Sequence, residues 1–246
     1  YIDSFEIDFL RFKFPPKEDD QPTPQHLLLL DVADKAVRDA DLQDGNHVAV
    51  IVALGTELSL HQCRSRLDLS HRIKAGLLQA GITLDTAAAS DLETIAKDAI
   101  SPPAQVNQYT SYIGNIVSSR VSALRDFSGP AFTTSSAENS VYKALEIAQI
   151  LLNSETLDAV VIGAVDLAGG VESVSLWRSR EHANDGAVTM SFDQHANGWQ
   201  VGEGAGAIVL KRADKAAGQR IYATLEGLAV VSGDDLAQPF TAEAAD

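Results

Sequence analysis

Residues 129–148, GPAFTTSSAENSVYKALEIA, decide the fold of this chain. They predict a Gly-Pro turn, a short strand over Ala131–Thr134, an elbow of small residues and a helix over Val141–Leu152. A strand that runs into a helix in this way places one side chain at the first turn of the helix. The N–H groups and the positive end of the helix dipole there favour an anion or an activated nucleophile. The stretch therefore predicts a site at a strand–helix elbow.

Strands and helices alternate along the rest of the chain, which predicts a layered α/β fold. The continuous apolar run Val48–Leu54 is typical of a strand covered on both faces. A possible capping box, Ser90 with Glu93, lies within a predicted helix. The further predicted helices are Gln25–Ala40, Leu58–Leu78, Ala87–Ala99 and Tyr112–Leu124, and the further predicted strands are Ala159–Ile162, Ala205–Leu210 and Ile221–Leu228.

The elbow resembles the nucleophile elbow of the β-ketoacyl synthases, the condensing enzymes of fatty acid and polyketide synthesis. That family writes the elbow as GP-x-x-x-V-D-T-A-C-S-S-S-L-x-A-L. The matching positions are Gly129, Pro130, Thr133, Ala137, Ser140, Ala144 and Leu145. The position of the family's nucleophilic cysteine is occupied by Glu138. The likeness thus implies the fold, whereas the glutamate argues against the reaction.

Other stretches resemble the same family in the same order. SFDQHANGWQVGEGAGAIVLKRADKA, Ser191–Ala216, is similar to P-F-D-x-x-A-D-G-Y-V-x-G-E-G-A-G-V-V-V-L-K. The remaining similar stretches are Pro22–Leu42, His47–Thr56, Tyr112–Pro130, Leu157–Val174 and Ile221–Val230. Within Tyr112–Pro130 the matching positions are Gly114, Asn115, Ser118, Arg120 and Ser122. The elbow letters SSAENS most resemble the cysteine-less ketosynthase-like domains of polyunsaturated fatty acid synthases.

The resemblance implies a thiolase-like layered α/β fold, with a mixed sheet and covering helices. Residues 1–246 would form the N-terminal half of a ketosynthase-like domain, with an arm or loop over 1–23 and a helical insertion over 57–111. The family's opening strand would precede residue 1. Its C-terminal half, which carries the histidine motifs H-G-T-G-T and N-x-x-G-H, would follow residue 246. The chain is therefore expected to be a piece of a longer polypeptide.

The resemblance places Glu138 where the family has its acyl-accepting thiolate, so no residue is expected to act as the catalytic nucleophile. Helix N–H groups are expected to hold the Glu138 carboxylate ionised. The candidate elbow and acyl-pocket residues are Ser136, Ala137, Asn139, Gly202, Gly204 and Gly206.

The function implied is that of a non-condensing ketosynthase-like domain of a fatty acid or polyketide synthase, acting as a scaffold or chain-length partner. Two alternatives stay open: an active condensing or malonyl-decarboxylating domain, and a non-enzymatic interaction module. The implied partners are acyl carrier protein, other domains of the multienzyme, and either a second copy paired through Ala131–Thr134 or a ketosynthase.

Composition argues against several other classes of function, namely nucleic-acid binding, a membrane span and metal binding. A net charge of −15 argues against nucleic acid as a partner. No apolar run approaches the ~18 residues that a membrane span needs. The single cysteine, Cys63, excludes an internal disulfide and suits the cytoplasm. The sequence holds no CxxC or HExxH spacing, so no metal is expected, and no cofactor is implied.

Three other interpretations are weaker. Ser135, Ser136 and Ser140 lack the GxSxG context of a serine hydrolase. The glycines of Gly202–Gly206 precede a predicted strand instead of opening a helix, which argues against a dinucleotide site. Asp193 and Asn197 suit a solvated turn better than a cation loop.

Overall fold

The computed structural model describes residues 2–14, 17, 20–55, 58–100, 103–179, 183–184, 186 and 193–228. The strands are β1 (Val48–Leu54), β2 (Ala131–Thr134), β3 (Ala159–Leu167) and β4 (Glu203–Leu210). The helices are α1 (Pro24–Asp39), α2 (Leu58–Ala80), α3 (Thr86–Ile100), α4 (Val106–Ser111), α5 (Gly114–Leu124), α6 (Ser140–Asn153) and α7 (Val171–Arg178), and a 3₁₀ turn spans Ala213–Lys215.

The chain divides into two compact units. Unit 1 comprises Tyr1–Gln25, Thr56–Ile113 and Leu167–Glu203, and unit 2 comprises His26–Gly55, Gly114–Asp166 and Gly204–Asp246. Helices α2, α3 and α4, which the sequence places in the 57–111 insertion, all belong to unit 1. The described residues before Pro24 form turns and loops. The domain bounds themselves stay a prediction.

The four strands form one sheet in the order β2-β1-β3-β4. Strand β1 pairs in parallel with β2, where Val50 stands opposite Ala131, and with β3, where Val50 stands opposite Val161. Parallel neighbours need crossover connections, and helices supply them here. The sheet with its covering helices confirms the predicted α/β fold.

Both faces of β1 are buried, as its unbroken apolar sequence predicts. Ala49 and Ile51 pack in one core cluster with Ala144 and Ala148 of α6, and with Ile162 of β3. Helix α6 thus presents its small residues at a spacing of four, which lets its backbone lie close to the sheet.

The opposite face of the sheet is covered just as closely. A Cβ added to Gly163 of β3 would lie 2.8 Å from the Cδ1 atom of Leu29 in α1. Leu29 is fully buried, so α1 can approach β3 this closely only because residue 163 lacks a side chain. The predicted helix Gln25–Ala40 is confirmed in α1, which is one residue offset at each end.

A buried ion pair joins α1 to the turn after α5. The Asp34 carboxylate, whose side chain is 2% exposed, accepts a hydrogen bond from Arg125 Nη2 at 2.9 Å and lies 3.1 Å from Arg38 Nε. A buried carboxylate is costly unless it is paired, and two guanidinium groups meet that need here.

Several local expectations from the sequence are wrong. The Ser90–Glu93 capping box does not form, because α3 begins at Thr86 and Asp85 caps it by accepting the Ala88 N–H at 2.8 Å. Glu93 instead accepts hydrogen bonds from Ser70 of α2 and from Lys97. The hydrogen bond from Lys97 has the largest effect on the pKa of the Glu93 carboxyl, and together with the bond from Ser70 it lowers that pKa below its usual value.

The predicted strand Ile221–Leu228 is also absent, because these residues form no ladder with the sheet. Ile221, Tyr222 and Leu225 are exposed, so the alternation in this stretch covers no core in this chain. The predicted helix over Tyr112–Leu124 begins at Gly114 instead, since Tyr112 is the C-cap of α4, which ends at Ser111.

Candidate site at the strand–helix elbow

The elbow between β2 and α6 contains one strained residue. Ala137 has a φ of 46°, in the left-handed region that residues with a Cβ atom seldom adopt. The chain turns there between the end of β2 at Thr134 and the start of α6 at Ser140. A strained backbone conformation persists only where surrounding interactions stabilise it. The hydrogen bonds of the elbow show which residues stabilise this one.

The Ser140 side chain stabilises the strained turn at Ala137. Its Oγ atom donates a hydrogen bond to the Ala137 carbonyl at 2.6 Å and accepts one from the Ser136 N–H at 2.8 Å. The backbone adds two bonds, from Asn139 N to Ser136 O at 3.0 Å and from Ser140 N to Ala137 O at 3.2 Å. Ser140 is buried, so water competes little for these groups. The small residues of the elbow therefore serve a tight turn closed by one hydroxyl.

We expect Ser140→Ala to lower the free energy of unfolding by about 1–2 kcal/mol, because two hydrogen bonds of the elbow lose their shared partner. Ala137→Gly should raise it by about 0.5–1 kcal/mol, because glycine adopts a positive φ without strain. Urea denaturation followed by circular dichroism measures both changes. Ser135→Ala, at an exposed neighbour, is the matched control and should stay within about 0.5 kcal/mol. Equal effects of Ser140→Ala and Ser135→Ala would contradict this account of the elbow.

Glu138 does not have the environment that the sequence analysis expects. The residue is exposed, and among the described residues no hydrogen bond to its carboxylate is recorded. The expectation that helix N–H groups hold this carboxylate is therefore wrong. The N–H groups of Asn139 and Ser140 donate to the Ser136 and Ala137 carbonyls instead. The role of Glu138 as the nucleophile-equivalent residue stays a prediction.

The other candidate residues fall into two places. Ser136, Ala137 and Asn139 lie beside Glu138 in the elbow, and Asn139 precedes α6 without a side-chain capping bond. Gly204 and Gly206 lie in β4, at the opposite edge of the sheet from β2, and Gly202 precedes that strand. A Cβ added at any of the three glycines would meet nothing within 4 Å among the described residues. Their proposed part in an acyl pocket stays a prediction.

A serine–histidine pair that the sequence analysis missed lies at the amino ends of the parallel strands. His47 Nδ1 is 3.0 Å from Ser128 Oγ, and Asp158 accepts the His47 backbone N–H at 2.9 Å. A catalytic triad needs the carboxylate on the imidazole ring, which it orients and stabilises when charged. Here the carboxylate binds the backbone, so the three residues cap strand ends and form no triad.

The weaker alternatives also have structural outcomes. In the segment from Asp193, the His195 N–H donates to Asp193 Oδ1 at 2.8 Å and the Ala196 N–H to its carbonyl at 2.9 Å, which is the expected solvated turn. Trp177 and Trp199 pack against each other with ring centroids 5.8 Å apart. Within the described ranges, no group of three or more His, Cys, Asp or Glu side chains is placed to hold a metal ion. No helix of those ranges has the length and apolarity that a membrane crossing requires.

Comparison with known proteins identifies the class. Residues 1–216 match the family described as the N-terminal domain of the β-ketoacyl synthases, so the chain belongs to that family. It is 38% identical over 236 residues to a polyunsaturated fatty acid synthase polypeptide of Thraustochytrium sp., an alignment that covers 95% of this chain and 11% of the relative. It is 30% identical to a 6-methylsalicylic acid synthase of Aspergillus niger, covering 94% of this chain and again 11% of the relative. The chain thus spans about a tenth of these curated relatives.

Solved structures agree with this placement. The PfaC keto synthase–chain length factor superposes with a TM-score of 0.75 at 48% identity, over 85% of this chain and 22% of that one. The ketosynthase from module 6 of the bacillaene synthase of Bacillus subtilis 168 superposes with a TM-score of 0.57 at 24% identity, over 85% of this chain and 30% of that one. The layered α/β fold is therefore the thiolase-like fold of the ketosynthases, with a mixed sheet and covering helices, and the predicted resemblance to polyunsaturated fatty acid synthases is confirmed.

Proposed function

We propose that this chain is a non-condensing ketosynthase-like domain of a polyunsaturated fatty acid synthase, and that it acts as a chain-length partner or scaffold beside an active ketosynthase. The observation that carries the proposal is Glu138, an exposed carboxylate in the elbow, which the resemblance to the family's motif aligns with the nucleophilic cysteine. The likeness to a protein named keto synthase–chain length factor supports the same function.

The chemistry of condensation explains why Glu138 does not serve it. A condensing enzyme transfers an acyl group to a thiolate and keeps it as a thioester until the second substrate attacks. A carboxylate in that place would give an anhydride, which water hydrolyses. An ionised carboxylate also has no proton to donate to a thioester carbonyl, and it would repel the enolate that forms on decarboxylation.

Activity measurements on Glu138 variants test the proposal. We expect the purified chain to give no condensation or decarboxylation above a no-protein control with acyl- and malonyl-carrier substrates. In the complete synthase polypeptide, Glu138→Ala should leave the condensation rate within about twofold, whereas loss of a catalytic acid or base would cost about 10²–10⁴-fold. Such a loss, or turnover by the chain that disappears in Glu138→Ala, would contradict the proposal and favour the active-enzyme alternative.

A glutamine variant tests whether a hydrogen-bond donor at position 138, in place of a carboxylate, permits decarboxylation. Glu138→Gln should preserve the fold, since the native side chain is exposed and has no recorded hydrogen bond to lose. An amide can donate a hydrogen bond to a thioester carbonyl, so this variant is the one in which malonyl decarboxylation would emerge in the complete polypeptide. An absence of decarboxylation products in Glu138→Gln would favour the alternative of a non-enzymatic interaction module.

Helix α6 exposes apolar side chains that a further part of a ketosynthase-like fold could cover. Leu145, Ile147 and Leu151 of α6 are only partly buried beside the core, and Ile150 is 66% exposed. A helix that is apolar on several sides is normally buried on several sides. We therefore propose that the C-terminal half of the ketosynthase-like fold covers α6.

The proposed partners follow from the same family. Strand β2 lies at the edge of the sheet, and an edge strand offers unpaired N–H and C=O groups to another chain. Pairing through β2 with a second copy, or with a ketosynthase, gives a closed interface. Acyl carrier protein and the other domains of the multienzyme are the remaining proposed partners, and the single cysteine suits a cytoplasmic setting.

A further inference from the structure

The turn that begins at Asp193 continues into Asn197, the one asparagine of the sequence that a glycine follows. Gly198 has a φ of 141°, a conformation that suits glycine because it has no Cβ atom. Both residues are partly exposed, so water reaches them. Within the described ranges no hydrogen bond of the Gly198 N–H is recorded. The backbone nitrogen beside the Asn197 amide is therefore neither screened by a side chain of its own residue nor held in a recorded bond.

Two other exposed asparagines, Asn139 and Asn153, lack this combination, because each precedes a serine. The N–H that follows Asn139 donates to the Ala137 carbonyl at 3.2 Å. The N–H that follows Asn153 donates to the Leu151 carbonyl at 3.3 Å. At both places a hydrogen bond would have to open before the backbone nitrogen could react with the side-chain amide.

We propose that Asn197 is a site of spontaneous deamidation, and that its aspartate product strengthens the hydrogen bonding of this turn. The Gly198 nitrogen attacks Asn197 Cγ, its proton passes to water, and the Cγ–Nδ2 bond breaks with release of ammonia. Water then opens the resulting succinimide ring. Opening at Cγ gives aspartate, and opening at the backbone carbonyl carbon gives isoaspartate. Water is the only co-reactant, the chain gains one negative charge, and no step depends on the proposed function.

The aspartate product fits the hydrogen bonds that the turn already has. Asn197 Oδ1 accepts a hydrogen bond from Asn184 Nδ2 at 2.7 Å, which a carboxylate oxygen can also accept. A charged acceptor makes such a bond about twice as strong. The Asn184 N–H also donates to the Trp199 carbonyl at 2.8 Å, so the two segments are linked through both the side chain and the backbone of Asn184. Aspartate at position 197 should hold this linkage more tightly, and the family motif that resembles this stretch has A-D-G there.

Peptide mass spectrometry of the intact, folded chain tests the site. In mildly alkaline buffer, which promotes loss of the backbone proton, Asn197 should deamidate at least about fivefold faster than Asn139 or Asn153, where a hydrogen bond must open first. Asn197→Gln is the matched control and should keep its amide, because its longer side chain would have to close a larger ring. Deamidation of Asn197 no faster than that of Asn139, or only after unfolding in urea, would overturn the proposal.

Amide hydrogen exchange tests the effect of the aspartate product. The Asn184 amide should exchange about fivefold more slowly in Asn197→Asp than in the freshly prepared unmodified chain, because the neighbouring side-chain bond becomes charge-assisted. Asn139→Asp adds the same charge at an exposed position without a side-chain capping bond, and it should leave Asn184 exchange unchanged. Equal Asn184 exchange in Asn197→Asp and Asn139→Asp would overturn the proposed strengthening of the turn.

Discussion

Replacing Gly129 by alanine should lower the free energy of unfolding of unit 2 by about 3 kcal/mol or more. A Cβ atom at this position would lie 2.4 Å from the Val48 carbonyl oxygen and 2.8 Å from the Ala49 nitrogen. Both are backbone atoms of Val48 and Ala49, which are fully buried at the start of β1, so they cannot rotate away as a side chain could. The segment before β2 would have to move off β1, and the register of the two strands would be disturbed.

The measurement needs a signal from unit 2. Both tryptophans, Trp177 and Trp199, belong to unit 1, so their fluorescence reports on that unit alone. Hydrogen exchange of the β1 amides under increasing urea reports on unit 2. Gly114→Ala is the matched control, because its Cβ would meet only the Thr133 methyl group, at 3.8 Å. A destabilisation by Gly129→Ala no larger than that by Gly114→Ala would show that the close contact with β1 carries no weight.

Acid should destabilise unit 2 from a pH well above that at which carboxylates titrate, because of His26. Burial, and secondarily the nearby charge of Arg120, lowers the pKa of His26 from 6.5 to about 3. Between pH 6.5 and about 3, His26 is therefore protonated in the unfolded chain and neutral in the folded chain. Stability from this group is complete above pH 6.5, falls as the pH is lowered, and levels off below the folded pKa.

The expected size of the effect is large. Each unit of pKa difference corresponds to about 1.4 kcal/mol, so His26 alone should remove about 2 kcal/mol between pH 6.5 and 5. Urea midpoints measured by circular dichroism at several pH values give the curve. His26→Gln cannot titrate, and the difference between the two curves isolates this residue from the carboxylates that also titrate below pH 5. Parallel curves for the two proteins would contradict the assignment.

Local sequence patterns determined the elements of this fold. The run VAVIVAL was sufficient to predict a strand buried on both faces, and the spacing of apolar residues was sufficient to predict α1. The order of motifs around Gly129 and Glu138 predicted the ketosynthase family, which the comparisons confirm. These inferences succeeded because the periodicity of buried residues and the residues that form tight turns lie close together along the chain.

Features that depend on distant partners were not accessible in this way. Ile221–Leu228 has the composition of a strand, but a strand also needs a neighbour to pair with, and the composition cannot supply one. The hydrogen bond from the Thr133 N–H of β2 to the Asn115 side chain of α5 joins residues from two elements, and no local pattern marks it. Gly129 was recognisable as a motif position, whereas its role in admitting the β1 backbone emerged only from the packing.

Position 138 shows the division most clearly. From the sequence alone we predict that Glu138 stands where the family has its nucleophile, and the proposed loss of condensing chemistry rests on that prediction. Only the tertiary structure decided where the carboxylate goes. The N–H groups of Asn139 and Ser140 donate to the Ser136 and Ala137 carbonyls, and the Ser136 N–H donates to the Ser140 hydroxyl. The Glu138 side chain itself is exposed.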